Sequence, residues 1–185
     1  MNFNSIEFIK INRTFLWIIL VSNYIIAQDW ETPIIKGYGE VKFFEQAASQ
    51  LNKQLDYKLI FDIKSNQIKN GINKGLWTIA RTLNLFELSG IPRKKIELVA
   101  SIHGEATFIT LNSNAYQDKF GRDNPNSNII QQHNENGVKL YVCSQANSSR
   151  NINNGDLNIN VIPALSGIAV LSNHLLQGFI LMPNY

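Results

Sequence analysis

Apolar residues along the chain follow two patterns, short near-continuous runs and longer runs at helical spacing. The short runs are typical of strands that are covered on both faces of a sheet. They predict strands at residues 57–63, 96–102, 138–143 and 179–182, with a further short strand at 159–162. The longer runs predict helices that begin at 72 and stop before Gly90 and Pro92, and at 127–136, 144–150 and 164–177.

Strands and helices that alternate in this way indicate the α/β class. We therefore expect an open, doubly wound, mainly parallel five-stranded sheet with helices on both faces. Polar segments between these elements predict an irregular N-terminal arm at 28–55, a turn into a short helix at 103–107, and loops at 116–127 and 151–160. Repeats, linkers and composition shifts do not interrupt residues 28–185, which predicts a single domain.

The first 27 residues have the pattern of a secretory signal peptide. Lys10 and Arg13 precede the apolar run 15–21, and the small residue Ala27 stands where cleavage is expected. Asn23 interrupts the apolar stretch, which is too short for a transmembrane helix. We therefore expect an exported protein, periplasmic or secreted, with no membrane segment in its mature form. The alternative is a buried N-terminal helix.

Charge and cysteine content remove several classes of protein. The 185 residues contain 17 Lys and Arg against 14 Asp and Glu, and the basic residues are scattered, so a nucleic-acid partner is not expected. A single Cys excludes an intrachain disulfide and a multi-cysteine metal cage. His133 is expected on a solvent-facing helix, and neither it nor His174 has a carboxylate at ligand spacing. The sequence therefore predicts no metal site, and the lack of a glycine-rich phosphate motif predicts no nucleotide cofactor.

Chemistry-bearing side chains lie at or just after the ends of three of the predicted strands. Ligand sites of open α/β sheets lie beyond the carboxyl ends of the strands, where Asp62, His103, Glu105 and Cys143 are expected. Cys143 comes where a strand passes into a helix, and the first N–H groups of that helix favour the reactive thiolate. The alternative is a small buried apolar residue, since free Cys is among the most buried residue types.

His103 and Glu105 are candidates for a base and an orienting carboxylate beside the thiol. The alternative is that His103 binds a turn and Glu105 caps the short helix after it, while Asp62 is a strand-end or capping carboxylate. A hydrolase that uses His103 and Glu105 is disfavoured, because the chain has no Gly-x-Ser-x-Gly turn to supply an activated serine.

Several segments, taken in order, resemble the DsrE/DsrF-like family, in particular its exported single-domain branch. The similarity runs from about Pro33 to the C-terminus. The segments are Gly-Tyr-Gly at 37–39, the strand 57–63, Asn-Lys-Gly-Leu at 73–76 with 81–85, Ile-His-Gly-Glu-Ala-Thr at 102–107, 137–145 around Cys143, and 178–183.

The resemblance implies a doubly wound subunit that assembles into trimers or hexamers. Cytoplasmic relatives, including the TusD-type proteins, carry sulfur as a cysteine persulfide in relay pathways. Their sulfur-carrying cysteine has a position similar to that of Cys143, before a short helix that ends in an arginine matched here by Arg150. Asn151 stands where a glycine is usual.

The resemblance therefore implies an exported sulfur carrier with a persulfide on Cys143. Its pocket would be completed by His103, Glu105 and Asp62 and by three residues of the short helix region, namely Ser144, Gln145 and Arg150. A sulfur donor or acceptor protein would be its partner. The alternative function is a non-catalytic oligomeric module that binds a small molecule or a partner, with Cys143 structural.

Overall fold

The computed structural model describes residues 29–183. The predicted signal peptide and the last two residues lie outside this range. Across the described range, every helix is too short or too polar to cross a membrane.

Five parallel strands form the central sheet, which confirms the predicted architecture. The strands in chain order are β1 (Tyr57–Ile63), β2 (Ile68–Lys69), β3 (Ile72–Asn73), β4 (Ile96–Ile102), β5 (Lys139–Cys143), β6 (Ile162–Ala164) and β7 (Ile180–Met182). Their order in the sheet is β6-β5-β4-β1-β7, and β2 and β3 form a separate antiparallel hairpin. The carboxyl ends of all five sheet strands therefore lie along one edge.

Helices cover both faces of the sheet, as the sequence predicts. They are α1 (Lys74–Leu88), α2 (Ser113–Phe120), α3 (Ser127–Glu135), α4 (Ser144–Ser148) and α5 (Gly167–Leu176), with 3-10 helices at Arg93–Lys95, Gly104–Thr110 and Asn154–Asp156. Residues of α1 and α3 form the main core with one face of the sheet. On the other face, α5 covers a smaller cluster that contains Ile60, Val99, Val170 and Phe179.

The buried side-chain amide of Asn84 on α1 binds the N-terminal arm through four hydrogen bonds. The side chain of Asn84 accepts hydrogen bonds from the backbone N–H groups of Ile34 and Ile35, both at 2.9 Å. It donates to the carbonyl oxygens of Tyr38 at 2.8 Å and Gly39 at 3.0 Å. Gly39 has a φ of +62°, and a Cβ there would lie 2.2 Å from the backbone of α1, so no larger residue fits this crossing.

Several predicted element boundaries are wrong. The short strand predicted at 159–162 begins only at Ile162, as β6. Ile159 is 96% exposed and makes no strand pairing. The first helix begins at 74 because the two residues before it pair in the β2–β3 hairpin. The expected loop at 116–127 contains most of α2, which Asn112 caps by accepting a hydrogen bond from the N–H of Ala115. The sequence pattern did not predict α2 because its residues are mostly polar and only Tyr116 is buried.

The expected solvent exposure of His133 is also wrong. His133 is fully buried between α3 and α1, where its Nε2 donates to the carbonyl oxygen of Leu76 at 3.0 Å. Together with Ile129 and Ile130 it forms the buried face of α3. Burial lowers the pKa of His133 to about 4, because the charged imidazolium would lose its hydration there.

Candidate functional site at the carboxyl edge of the sheet

The strand register places His103 and Cys143 side by side. Ile63 pairs with Ile102 across β1 and β4, and Ile102 pairs with Val142 across β4 and β5. The next residues along β4 and β5 are His103 and Cys143. Neighbouring strands are about 4.8 Å apart, so the two backbones are adjacent at the end of the sheet.

Strand alternation assigns three of the predicted site residues to one face. Asp62 pairs with Ser101, and Ser101 pairs with Tyr141. His103 and Cys143 each lie two residues beyond a member of that row, and successive residues of a strand point to opposite faces. Asp62, His103 and Cys143 therefore belong to the face that α5 covers.

Asp62 supplies the carboxylate that contacts His103. The Nε2 of His103 lies 2.6 Å from Oδ1 of Asp62, and both side chains are about a quarter exposed, at 28% and 26%. Glu105 was the carboxylate expected in this role, and it forms a different contact. The first residue of α5 is also close, because a Cβ on Gly167 would lie 3.1 Å from the His103 ring.

Cys143 ends β5 and is also the N-cap residue of α4. Its Sγ accepts a hydrogen bond from the N–H of Ala146 at 3.4 Å. The residue is 8% exposed, so most of the thiol is covered by protein. An N–H group directed at sulfur is suited to a negatively charged sulfur atom, while the low exposure agrees with the structural alternative.

Glu105 and Arg150 form an ion pair beside this group. Nη2 of Arg150 lies 3.1 Å from Oε1 of Glu105, and Glu105 is in the first turn of the 3-10 helix Gly104–Thr110. Arg150 also donates to the carbonyl oxygen of Ala146 at 3.3 Å and lies 5.7 Å from the ring centre of Phe108. The pair therefore joins the end of α4 to the segment that follows β4.

Ser144 and Gln145 are the first two residues of α4. Gln145 donates from Nε2 to the carbonyl oxygen of Leu165 at 3.4 Å, which connects α4 to the segment between β6 and α5. Ser144 is half-buried beside Cys143. Among residues 29–183, no three His, Cys, Asp or Glu side chains converge as a metal site would require.

Sequence analysis missed Asn147, which lies one turn of α4 after Cys143. Asn147 is 3% exposed, and neither polar atom of its side chain has a hydrogen-bond partner among the described residues. Buried amides are normally paired, so an unpaired amide on the helix that Cys143 caps is unusual. Its spacing of four residues from Cys143 is the one signal that could have identified it.

Comparison with known proteins identifies a family and gives structural similarity to solved proteins. No curated protein is significantly similar to the chain in sequence. Among solved structures, a protein of unknown function from Methanobacterium thermoautotrophicum is similar, with a TM-score of 0.48 and 15% identity over 69% of this chain and 98% of that one. The sequence profile of the DsrE/DsrF-like family matches residues 58–183, which include β1 from its second residue and every later strand and helix. The chain therefore belongs to the DsrE/DsrF-like family.

Proposed function

We propose that this chain carries sulfane sulfur as a persulfide on Cys143 and passes it from a donor protein to an acceptor protein. The family indicates a role of the sulfur-relay type, and its members often act with partner proteins. The observation that carries the proposal is the position of Cys143, at the edge of the sheet beside His103, with an N–H directed at its sulfur.

The transfer needs no oxidant. The Cys143 thiolate attacks the terminal sulfur of a donor persulfide, a new S–S bond forms, and the S–S bond of the donor breaks. The donor leaves as a thiolate and takes up the proton that the Cys143 thiol gave away. Delivery to an acceptor thiolate is the same exchange in the opposite direction.

His103 is the group proposed to hold the proton during this exchange. Its Nε2 is bound to Asp62 at 2.6 Å, which leaves Nδ1 as the nitrogen that can accept a proton. Asp62 acts through His103 by fixing the ring orientation and the tautomer. Glu105 and Arg150 hold α4 against the neighbouring segment and so support the position of Cys143.

Export and assembly are parts of the same proposal. The N-terminal pattern supports removal of residues 1–27 and action in the periplasm or outside the cell. Members of the family are often oligomeric. Assembly into a trimer or hexamer is supported by large apolar side chains that β6, α5, β7 and the turn between β6 and α5 leave exposed, namely Ile162, Leu165, Ile168, Leu176 and Ile180.

A second candidate function is a non-catalytic oligomeric binding module in which Cys143 is structural. The observation in its favour is the 8% exposure of Cys143. Under this alternative, the thiol of the folded protein resists alkylation until denaturant is added.

Intact-mass measurement after incubation with an organic persulfide donor separates the two functions. For the sulfur carrier we expect a gain of one sulfur atom that reductant removes and that Cys143→Ser lacks. Cys143→Ser keeps the size of the side chain, and circular dichroism checks that it folds. An unchanged mass, with alkylation only after unfolding, would overturn the proposal and support the binding module.

A further inference from the structure

A cavity of about 420 Å³ lies between the N-terminal arm, the β2–β3 hairpin and α1. Its lining residues are Trp30, Glu40, Lys69, Trp77 and Arg81. A neighbouring cavity of about 430 Å³ shares Lys69, Trp77 and Arg81 and continues along α1 to Met182 at the end of β7. We call the two together the α1 groove. It shares no residue with the Cys143 site.

Two positive charges meet at one aromatic ring in the α1 groove. Nζ of Lys69 and Cζ of Arg81 each lie 5.3 Å from the ring centre of Trp77. Within residues 29–183, neither cation is within ion-pair distance of a carboxylate. The carboxylate of Glu40 also lines the groove and accepts a hydrogen bond from Asn70 at 3.3 Å. The groove therefore has an excess of positive charge that attracts an anion.

Trp77 forms the buried floor of this groove. The residue is 7% exposed, and its indole N–H has no acceptor among the described residues. The N–H itself is covered by protein, so a ligand in the groove would meet the two cations that lie against this ring rather than the N–H. Trp30 is 59% exposed and offers a second flat apolar surface in the same cavity.

We propose that the α1 groove binds a small aromatic anion. The exposed indole of Trp30 packs against the ring of the ligand, and the acid group of the ligand lies between Lys69 and Arg81, which Trp77 supports from below. Aromatic faces beside cations favour a planar ligand with one negative charge over either an aliphatic anion or a neutral aromatic molecule. This site is independent of persulfide chemistry at Cys143.

Intrinsic fluorescence tests the site directly, because two of the three tryptophans of the chain line the groove. Benzoate is the probe, benzamide is its neutral counterpart, and inorganic phosphate is the anion without a ring. We expect benzoate to change the emission saturably. We expect benzamide and phosphate each to bind about tenfold more weakly, because each lacks one half of the recognised chemistry.

Charge-removing variants make the test specific. Lys69 and Arg81 are exposed, so Lys69→Gln and Arg81→Gln leave the core intact and should each weaken benzoate binding about tenfold. Lys94→Gln removes the same charge at an exposed position outside the groove and should bind benzoate like the unmodified chain. Absence of a saturable change, equal binding of benzamide or phosphate, or unaltered binding by both groove variants would overturn the proposal.

Discussion

The Nε2 atom of His103 lies 2.6 Å from Oδ1 of Asp62, across two neighbouring strands and 41 residues apart in the chain. The contact fixes the imidazole at the end of β4, where the register places it beside Cys143. A carboxylate in this position orients the ring and selects the tautomer in which Nδ1 is free of a proton. Substitution of Asp62 therefore tests the contribution of the His103–Asp62 pair to sulfur transfer directly.

Asp62→Asn should slow persulfide formation on Cys143. The amide keeps the size of the side chain but no longer favours the protonated Nε2, so we expect the rate of sulfur loading to fall roughly tenfold or more. The rate is followed by intact mass over time with a persulfide donor. Asp123→Asn makes the same chemical change at an exposed carboxylate and is the matched control. Equal rates in the two variants would remove Asp62 from the mechanism.

Acidification should destabilise the protein through His133. Its pKa is about 4 in the folded chain against about 6.5 when unfolded, so between these values the unfolded state binds a proton that the native state does not. The free energy of unfolding should therefore decrease as the pH falls from about 6.5 to 4, by about 3 kcal/mol in total, and this contribution should level off below that.

Urea unfolding at a series of pH values measures this effect. His133→Gln retains a donor for the Leu76 carbonyl oxygen but does not titrate, so its stability should depend less on pH in this window. A variant with the same pH dependence as the unmodified chain would contradict the assignment to His133.

Asn84→Ala should destabilise the fold and release the N-terminal arm. The substitution removes four hydrogen bonds and leaves the half-buried N–H of Ile34 and the buried N–H of Ile35 without an acceptor. We expect a loss of about 3 kcal/mol in the free energy of unfolding, together with faster proteolysis of the arm. Asn52→Ala, at an exposed position, is the control, and a comparable loss there would show that the four bonds are not the cause.

Ile168→Glu should dissociate the proposed oligomer. Ile168 is 77% exposed in the single chain, and a carboxylate buried at a subunit interface without a partner is strongly unfavourable. Light scattering coupled to size-exclusion chromatography should then give the mass of one subunit. Ile68→Glu introduces the same charge at another exposed isoleucine, on β2, and should leave the assembly unchanged. An unaltered mass of the Ile168 variant would place the interface elsewhere.

Glu105→Gln should change the free energy of unfolding by only about 0.5 kcal/mol, because the Glu105 side chain is 65% exposed and surface ion pairs contribute little. Urea unfolding at low and at high salt measures this, and the small difference should shrink further at high salt. A loss of several kcal/mol would instead mean that the pair with Arg150 anchors α4 far more strongly than its exposure implies.

The strands and the family could be predicted from local patterns. The runs at 57–63 and 96–102 are almost wholly apolar, and such segments are stable only when both faces are covered, which is what a parallel sheet between helices provides. The position of Cys143 between β5 and α4 follows from the same patterns, because the apolar run ends where the polar helix begins.

Contacts between distant segments could not be predicted in this way. Asp62 meets His103 because two strands pair in one register, and His133 is buried because α3 packs on α1. Trp30 and Trp77 likewise line the same groove only because the N-terminal arm crosses α1. Apolar periodicity along a chain specifies which elements form, because it depends on neighbouring residues. Which side chains share a site is decided only when those elements pack, because packing depends on the shapes and registers of surfaces far apart in sequence.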